Sequence, residues 1–141
     1  MRACAVSFSI ACAAFAPACI SSSVVESSGR AVTPTTSGLA WAPARSADLR
    51  GLFESISIEG EVAAALWKVY YAFAEDGSYS GAALVLGGAN PEFQTLSGKW
   101  VLAGDTLDLG DGQTARASFA GDHLKLESAG SVVILRRTAL Q

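Results

Sequence analysis

Residues 67 to 86 read Trp-Lys-Val-Tyr-Tyr-Ala-Phe-Ala-Glu-Asp-Gly-Ser-Tyr-Ser-Gly-Ala-Ala-Leu-Val-Leu, and they carry the strongest local signal in the chain. The odd positions Trp67, Val69, Tyr71 and Phe73 are apolar and stand opposite Lys68 and Tyr70, the period of two that marks a half-buried strand. Asp76-Gly77 interrupts the alternation. An Asp-Gly pair between two such runs supplies the two positive-φ positions of a type I′ hairpin, so Ser78 to Leu86 is expected to return antiparallel beside the first run.

The same pattern extends in both directions. Upstream, Leu52, Ile56 and Ile58 alternate with Phe53, Ser55 and Ser57. The intervening Glu61-Val-Ala-Ala-Ala-Leu66 has good helix propensity, and one short helix is expected near residues 60 to 66. Downstream, Gly87-Gly88-Ala89-Asn90-Pro91 breaks the pattern, after which Leu96, Gly98, Trp100 and Leu102 alternate with Ser97, Lys99 and Val101. Turns at Gly104-Asp105, Gly110-Asp111-Gly112, Gly121-Asp122 and Ala129-Gly130-Ser131 separate the remaining runs, the last being Val132 to Arg137. About eight short strands in about 90 residues is the density of an all-β domain. An open meander exposes two edges, and curling the sheet until first meets last removes them. The expected fold is therefore a small antiparallel up-and-down barrel, closed or nearly closed, over residues 48 to 141. A chain of 141 residues leaves no room for a second core.

The N-terminal part reads differently. Arg2 precedes an uncharged run from Ala3 to Phe15. That run is too short to span a bilayer, which needs about 20 apolar residues, and it has the form of a signal-peptide core. Small-residue cleavage sites follow at Ala14-Phe15-Ala16 and Ala16-Pro17-Ala18, so residues 1 to 19 are expected to be a signal peptide. The cysteines are Cys4, Cys12 and Cys19; cleavage before Cys19 leaves one thiol and cleavage after Ile20 leaves none, which excludes an intramolecular disulfide. Ala16-Pro17-Ala18-Cys19 also resembles a bacterial lipoprotein lipobox, which implies lipid on Cys19, although that family prefers Leu where Ala16 stands. Plain secretion and a lipid anchor both remain open, and both export the domain to the periplasm or beyond. Residues 20 to 47 are rich in Ser, Thr, Pro and Ala without sustained period, the composition of a disordered linker, with Trp41 either a terminal anchor or solvated.

Composition removes several function classes. Charged residues at 16% against 50% hydrophobic ones exclude a long disordered chain and a coiled coil. Ten Lys plus Arg against 13 Asp plus Glu give a net charge of -3, so no basic face is available for a phosphate backbone and no nucleic-acid partner is expected. His123 is the only histidine, and alternation turns it outward, away from any triad. No HExxH, GxSxG or P-loop occurs, and no His/Cys set has zinc spacing. Gly110 to Ala115 matches a relaxed dinucleotide fingerprint, yet the residues after it alternate as a strand where a helix is required. Asp105, Asp108, Asp111 and Asp122 read as turn residues rather than calcium ligands. The expectation is a non-enzymic protein without cofactor, metal or catalytic residue. Arg136-Arg137 is read as protection of a strand edge in preference to an anion site.

The aromatic residues Trp67, Tyr71, Phe73, Tyr79, Trp100 and Phe119 fall on the expected inward faces, with Gly98 leaving room for a ring beside Trp100. An eight-stranded barrel is just wide enough to be filled by side chains or to hold one small ligand. Filling is the favoured outcome for so many rings. Residues 70 to 81, the stretch Gly98-Lys-Trp-Val-Leu-Ala-Gly-Asp-Thr-Leu-Asp-Leu109, Asp122 to Leu126 and the terminal Arg136-Arg137 together resemble the small lipocalin-like, calycin-type barrels of bacterial exported proteins, over residues 49 to 137. The lipocalin Gly-x-Trp opens the first strand, whereas here it lies mid-domain. The resemblance implies a barrel that binds a small apolar or amphipathic molecule at its mouth, and the protein is expected to be a monomer. The other expectation is a filled barrel that acts through its surface, as an envelope interaction protein or protease inhibitor. A cavity of about 300 Å³ or more lined by those aromatics separates the two.

Overall fold

The computed structural model describes residues 35–139; the expected signal peptide with Cys4, Cys12 and Cys19, and residues 20–34 of the expected linker, lie outside the described residues. In chain order the elements are β1 (Ala42–Pro43), the single-turn helix α1 (Ser46–Leu49), β2 (Gly51–Glu59), a 3₁₀ turn (Glu61–Ala64), β3 (Leu66–Phe73), β4 (Ser78–Leu86), β5 (Pro91–Lys99), β6 (Val101–Ala103), β7 (Thr106–Asp108), β8 (Thr114–Ala120), β9 (His123–Ser128) and β10 (Ser131–Thr138). Nine strands pair antiparallel in the order β5-β4-β3-β2-β10-β9-β8-β7-β6 and curl into a half-barrel. The all-β, up-and-down architecture is as expected, with the short helical turn inside residues 60 to 66.

The last strand meets the first long one: β10 runs along β2 from Val132↔Glu59 to Thr138↔Leu52. The strand path instead ends at β5 and β6, which are neighbours in the chain. The run expected from Leu96 to Leu102 is cut at Trp100. Its N–H donates to the carbonyl of Gly77 at 2.8 Å, leaving the ladder, and its side chain turns inward.

The β3–β4 hairpin holds its expected span, with Phe73↔Tyr79 as the innermost pair, but its turn is of another type. Gly77 has φ 77° while Asp76 does not have positive φ, and Gly77 N–H donates to the Ala74 carbonyl at 3.3 Å. This is a three-residue loop closed by a left-handed glycine, which frees Asp76 to accept from the Ser78 N–H at 2.9 Å. The two successive positive-φ residues of a type I′ turn occur at Ala129 (φ 45°) and Gly130 (φ 74°), between β9 and β10.

Two other expectations are corrected. The domain begins before Asp48. Because β7 covers only Thr114 to Arg116 of β8, the rest of β8 is left for β1, with Ala42↔Phe119 and Pro43↔Ser118, and Ala44 N–H donates to the Ala117 carbonyl at 3.0 Å. Ala44 is 3% exposed, and the Trp41 ring takes the Lys125 ammonium at 5.1 Å, so residues 41 to 47 belong to the fold and not to a linker. Arg136 and Arg137, in turn, guard no edge, since β10 is paired on both sides. Arg136 pairs with Glu54 at 2.9 Å across to β2. Arg137 lies over the rings of Phe53 (4.8 Å) and Phe119 (5.7 Å) and donates to the carbonyls of Arg50 and, at 2.7 Å, Asp48. It thereby ties the last strand to α1, whose Leu49 is fully buried, and closes this end of the barrel.

Candidate functional site

β2 and β3 are paired only as far as Glu54↔Tyr70. Beyond that point the strands diverge, and a buried N–H without a partner would cost about 1 to 3 kcal/mol. Ser55 resolves this: it is 3% exposed on the inner face, its hydroxyl accepts from the Val69 N–H at 2.9 Å, and its carbonyl accepts from the Lys68 ammonium. The flared chain then turns at Gly60, where φ is 85° and a β-carbon would lie 2.2 Å from the Gly130 carbonyl oxygen. Only glycine fits there. The 3₁₀ turn that follows is fastened to β10 by the Val62 N–H donating to Ser131 Oγ at 3.3 Å.

The divergence leaves a cavity of about 460 Å³ at this end of the barrel. Its walls are Leu66, Val69 and Tyr71 of β3, Ala115 of β8, Leu126 of β9 and Val133 of β10, with Glu61, Val62, Leu109, Gln113 and Ser131 among the residues at its rim. The volume lies within the ~300 to 1,000 Å³ range of small-molecule sites, and the walls are apolar with few polar groups, as such sites are. Tyr71 is the polar element of the wall. Burial, with Tyr79 beside it, pushes its phenol above the ordinary tyrosine value, and its hydroxyl has no hydrogen-bond partner among the described residues.

The six aromatics singled out in the sequence separate into three groups. Phe73 (3% exposed) and Trp100 (8%) are core: their rings meet edge to face at 5.9 Å, and the indole N–H donates to the Ala74 carbonyl at 3.3 Å. Tyr79 and Phe119 are half-buried against that core, Phe119 through Phe53 at 6.3 Å and Tyr79 through Phe73 at 6.2 Å. Of the six, Tyr71 alone lines the cavity. Trp67 is the error: it is 58% exposed, because a β-bulge between Leu66 and Lys68 places it outside the alternation and gives the inward position to Leu66. Trp67 stands at the outer surface with Phe93 of β5, which is 76% exposed and pairs with Leu84. The barrel is therefore filled by rings at its α1 end and hollow at the other.

Sequence reasoning missed Phe53, the fully buried centre of the ring cluster, because Leu52, Ile56 and Ile58 made the opposite face look equally apolar. It also missed the cavity walls, since Leu66, Val69, Ala115, Leu126 and Val133 are ordinary inward strand residues and their meeting around a void is a property of strand divergence. The buried Ser55 was the available signal: a hydroxyl on an inward face marks a backbone group in need of a partner.

His123 opens β9 at the α1 end of the barrel; its side chain is 20% exposed, and Nδ1 lies 2.7 Å from Asp122 Oδ1 without hydrogen-bond geometry. Residues 110–113 form a loop and β8 follows it, so the glycine pattern there precedes a strand. Among the described residues no three His, Cys, Asp or Glu side chains gather at metal-binding distance, and no helix is long and apolar enough to cross a membrane. Comparison of the chain with protein families, with curated proteins and with solved structures finds no match.

Proposed function

We propose that this protein is an exported, non-catalytic, lipocalin-like binding module that holds one small apolar or amphipathic molecule in the hollow end of its barrel. One observation carries the reading: a cavity of about 460 Å³ with apolar walls, which meets the expected volume although its lining is mainly aliphatic and includes only Tyr71 of the six aromatics, in a domain whose other end is packed with rings. The cavity lining is predominantly apolar and lies on the inner face of the sheet, where an apolar molecule that displaces water gains about 25 cal/mol per Å² of surface it buries. The binding residues are accordingly Leu66, Val69, Tyr71, Ala115, Leu126 and Val133, with Tyr71 retained from the sequence-based set. Export rests on Arg2 and the uncharged run after it, with Cys19 the place of a lipid anchor if one is attached; intact mass of the natively expressed protein tests that part.

Ligand binding is tested with a neutral fluorescent probe such as N-phenyl-1-naphthylamine. Saturable binding is expected, together with its loss in Ala115→Trp, which fills the cavity, while the melting temperature stays near the parent's. Absence of saturable binding, or a probe unaffected by the filled cavity, overturns the reading. Native mass spectrometry of protein from its own host then identifies what it carries.

A further inference from the structure

The cavity has a sign. Glu61 is the one charged side chain in its lining, and among the described residues it has neither an ion pair nor a side-chain hydrogen bond. The segments that frame the mouth, residues 59–65, 109–113 and 128–131, contain three carboxylates, those of Glu59, Glu61 and Asp111, and no Lys, Arg or His. The cations of the adjoining strands are each ion-paired: Lys68 with Glu54 at 3.7 Å, Lys125 with Glu127 at 3.4 Å, and Arg116, which borders residues 128–131 but is not in the cavity lining, with Asp105 at 3.1 Å. Arg137 is spent at the opposite end, on the rings and carbonyls beside α1.

From this arrangement we propose that the cavity takes a cationic amphiphile: an alkyl or aryl body against Val69, Leu126 and Val133, with a protonated amine at the mouth against the Glu61 carboxylate. The inference rests on the cavity being a ligand site and adds the class of ligand to it. A fatty carboxylate is disfavoured, because its head would lie beside Glu61 with no cation to receive it, and like charges brought together are destabilising. A neutral alcohol gains the burial of its chain but nothing at the rim. Glu61 is exposed, so the attraction is that of a partly solvated pair. Such a pair is worth roughly two- to five-fold in affinity, and the gap between amine and carboxylate is about the square of that, ~4- to 25-fold.

The test is displacement of the neutral naphthylamine probe from the purified protein by dodecylamine, dodecanol and dodecanoate, each below its aggregation limit, at pH 7 and low salt. The amine is expected to displace at the lowest concentration, the carboxylate at the highest, and added salt should narrow the gap. Glu61→Gln should bring the amine to the level of dodecanol while leaving dodecanol itself unchanged. Equal potency of amine and carboxylate, or a Glu61→Gln protein that keeps the amine preference, overturns the assignment while binding by the cavity stands. Failure of all three to displace the probe overturns both.

Discussion

The phenol ring of Tyr79 lies over the face of Gly98: Cε1 is 3.0 Å from where a β-carbon on Gly98 would stand, and the phenol O–H donates to the Leu109 carbonyl at 3.1 Å. Tyr79 belongs to β4, Gly98 to the edge strand β5 and Leu109 to the residues after β7, so one ring connects the two halves of the sheet where strand pairing is absent. The ring is held by Tyr71 (6.1 Å) and Phe73 (6.2 Å) and has little freedom to swing aside. Gly98→Ala should therefore cost about 1 to 2 kcal/mol, overpacking outweighing the gain from replacing a strand glycine. In a Tyr79→Ala background the same substitution should be neutral or stabilising. Urea unfolding of the four proteins measures the coupling, and additive effects would show that the ring does not clamp this seam.

The two tryptophans of the aromatic set should behave oppositely. Trp100→Ala removes a ring packed on Phe73 and is expected to cost about 3 to 5 kcal/mol, much of the stability of a domain this size. Trp67→Ala, at a 58% exposed position, should stay within about 0.5 kcal/mol of the parent. Thermal melts of both variants check this, and a large loss in Trp67→Ala would contradict the bulged register of β3.

Ser55→Ala leaves the Val69 N–H buried without an acceptor. The expected loss is about 1 to 3 kcal/mol, larger than the modest change in side-chain volume warrants. Hydrogen exchange at the Val69 amide reads the same bond directly. Protection unchanged in Ser55→Ala means that another group satisfies it.

Arg137→Lys keeps the charge but loses the planar fork that spans two carbonyls while lying on two rings. A loss of about 1 to 2 kcal/mol is expected, with α1 loosened first. Limited proteolysis near Arg50 should accelerate in this variant, and a cleavage rate equal to the parent's would argue that α1 is held by Leu49 alone.

Tyr71 links stability to alkaline pH. Burial raises its folded-state pKa above the unfolded value near about 10. The folded protein then holds this proton more tightly, so the contribution is complete below about pH 10 and is lost as pH rises through the folded value. Denaturant unfolding between pH 8 and 11 should show a steeper alkaline decline for the parent than for Tyr71→Phe. Parallel curves would place the phenol in contact with water.

Much of the architecture was legible in the chain because alternation and turn chemistry are local. The spans of β3 and β4, the 3₁₀ turn after Gly60 and the turns before β7, β9 and β10 follow from residues within a few positions of one another. The burial of Trp100 and the ring over Gly98 were legible for the same reason, a period of two with a gap in it. Trp67 was not, because a bulge consumes one residue and reverses facing, and nothing in Leu66-Trp67-Lys68 announces it without the partner strand. Nor was the ordering of Ala42 to Ala47, which depends on β8 outlasting β7. The candidate site was hidden for the most physical of these reasons. A void exists only where strands diverge, and at this end the divergence goes with Gly60 against Gly130 and Ser55 against Val69, contacts between residues far apart in the chain. Sequence by itself determined that the chain is an all-β meander with enough rings for a core; tertiary structure alone decided that those rings gather at one end and leave the other open beneath Glu61.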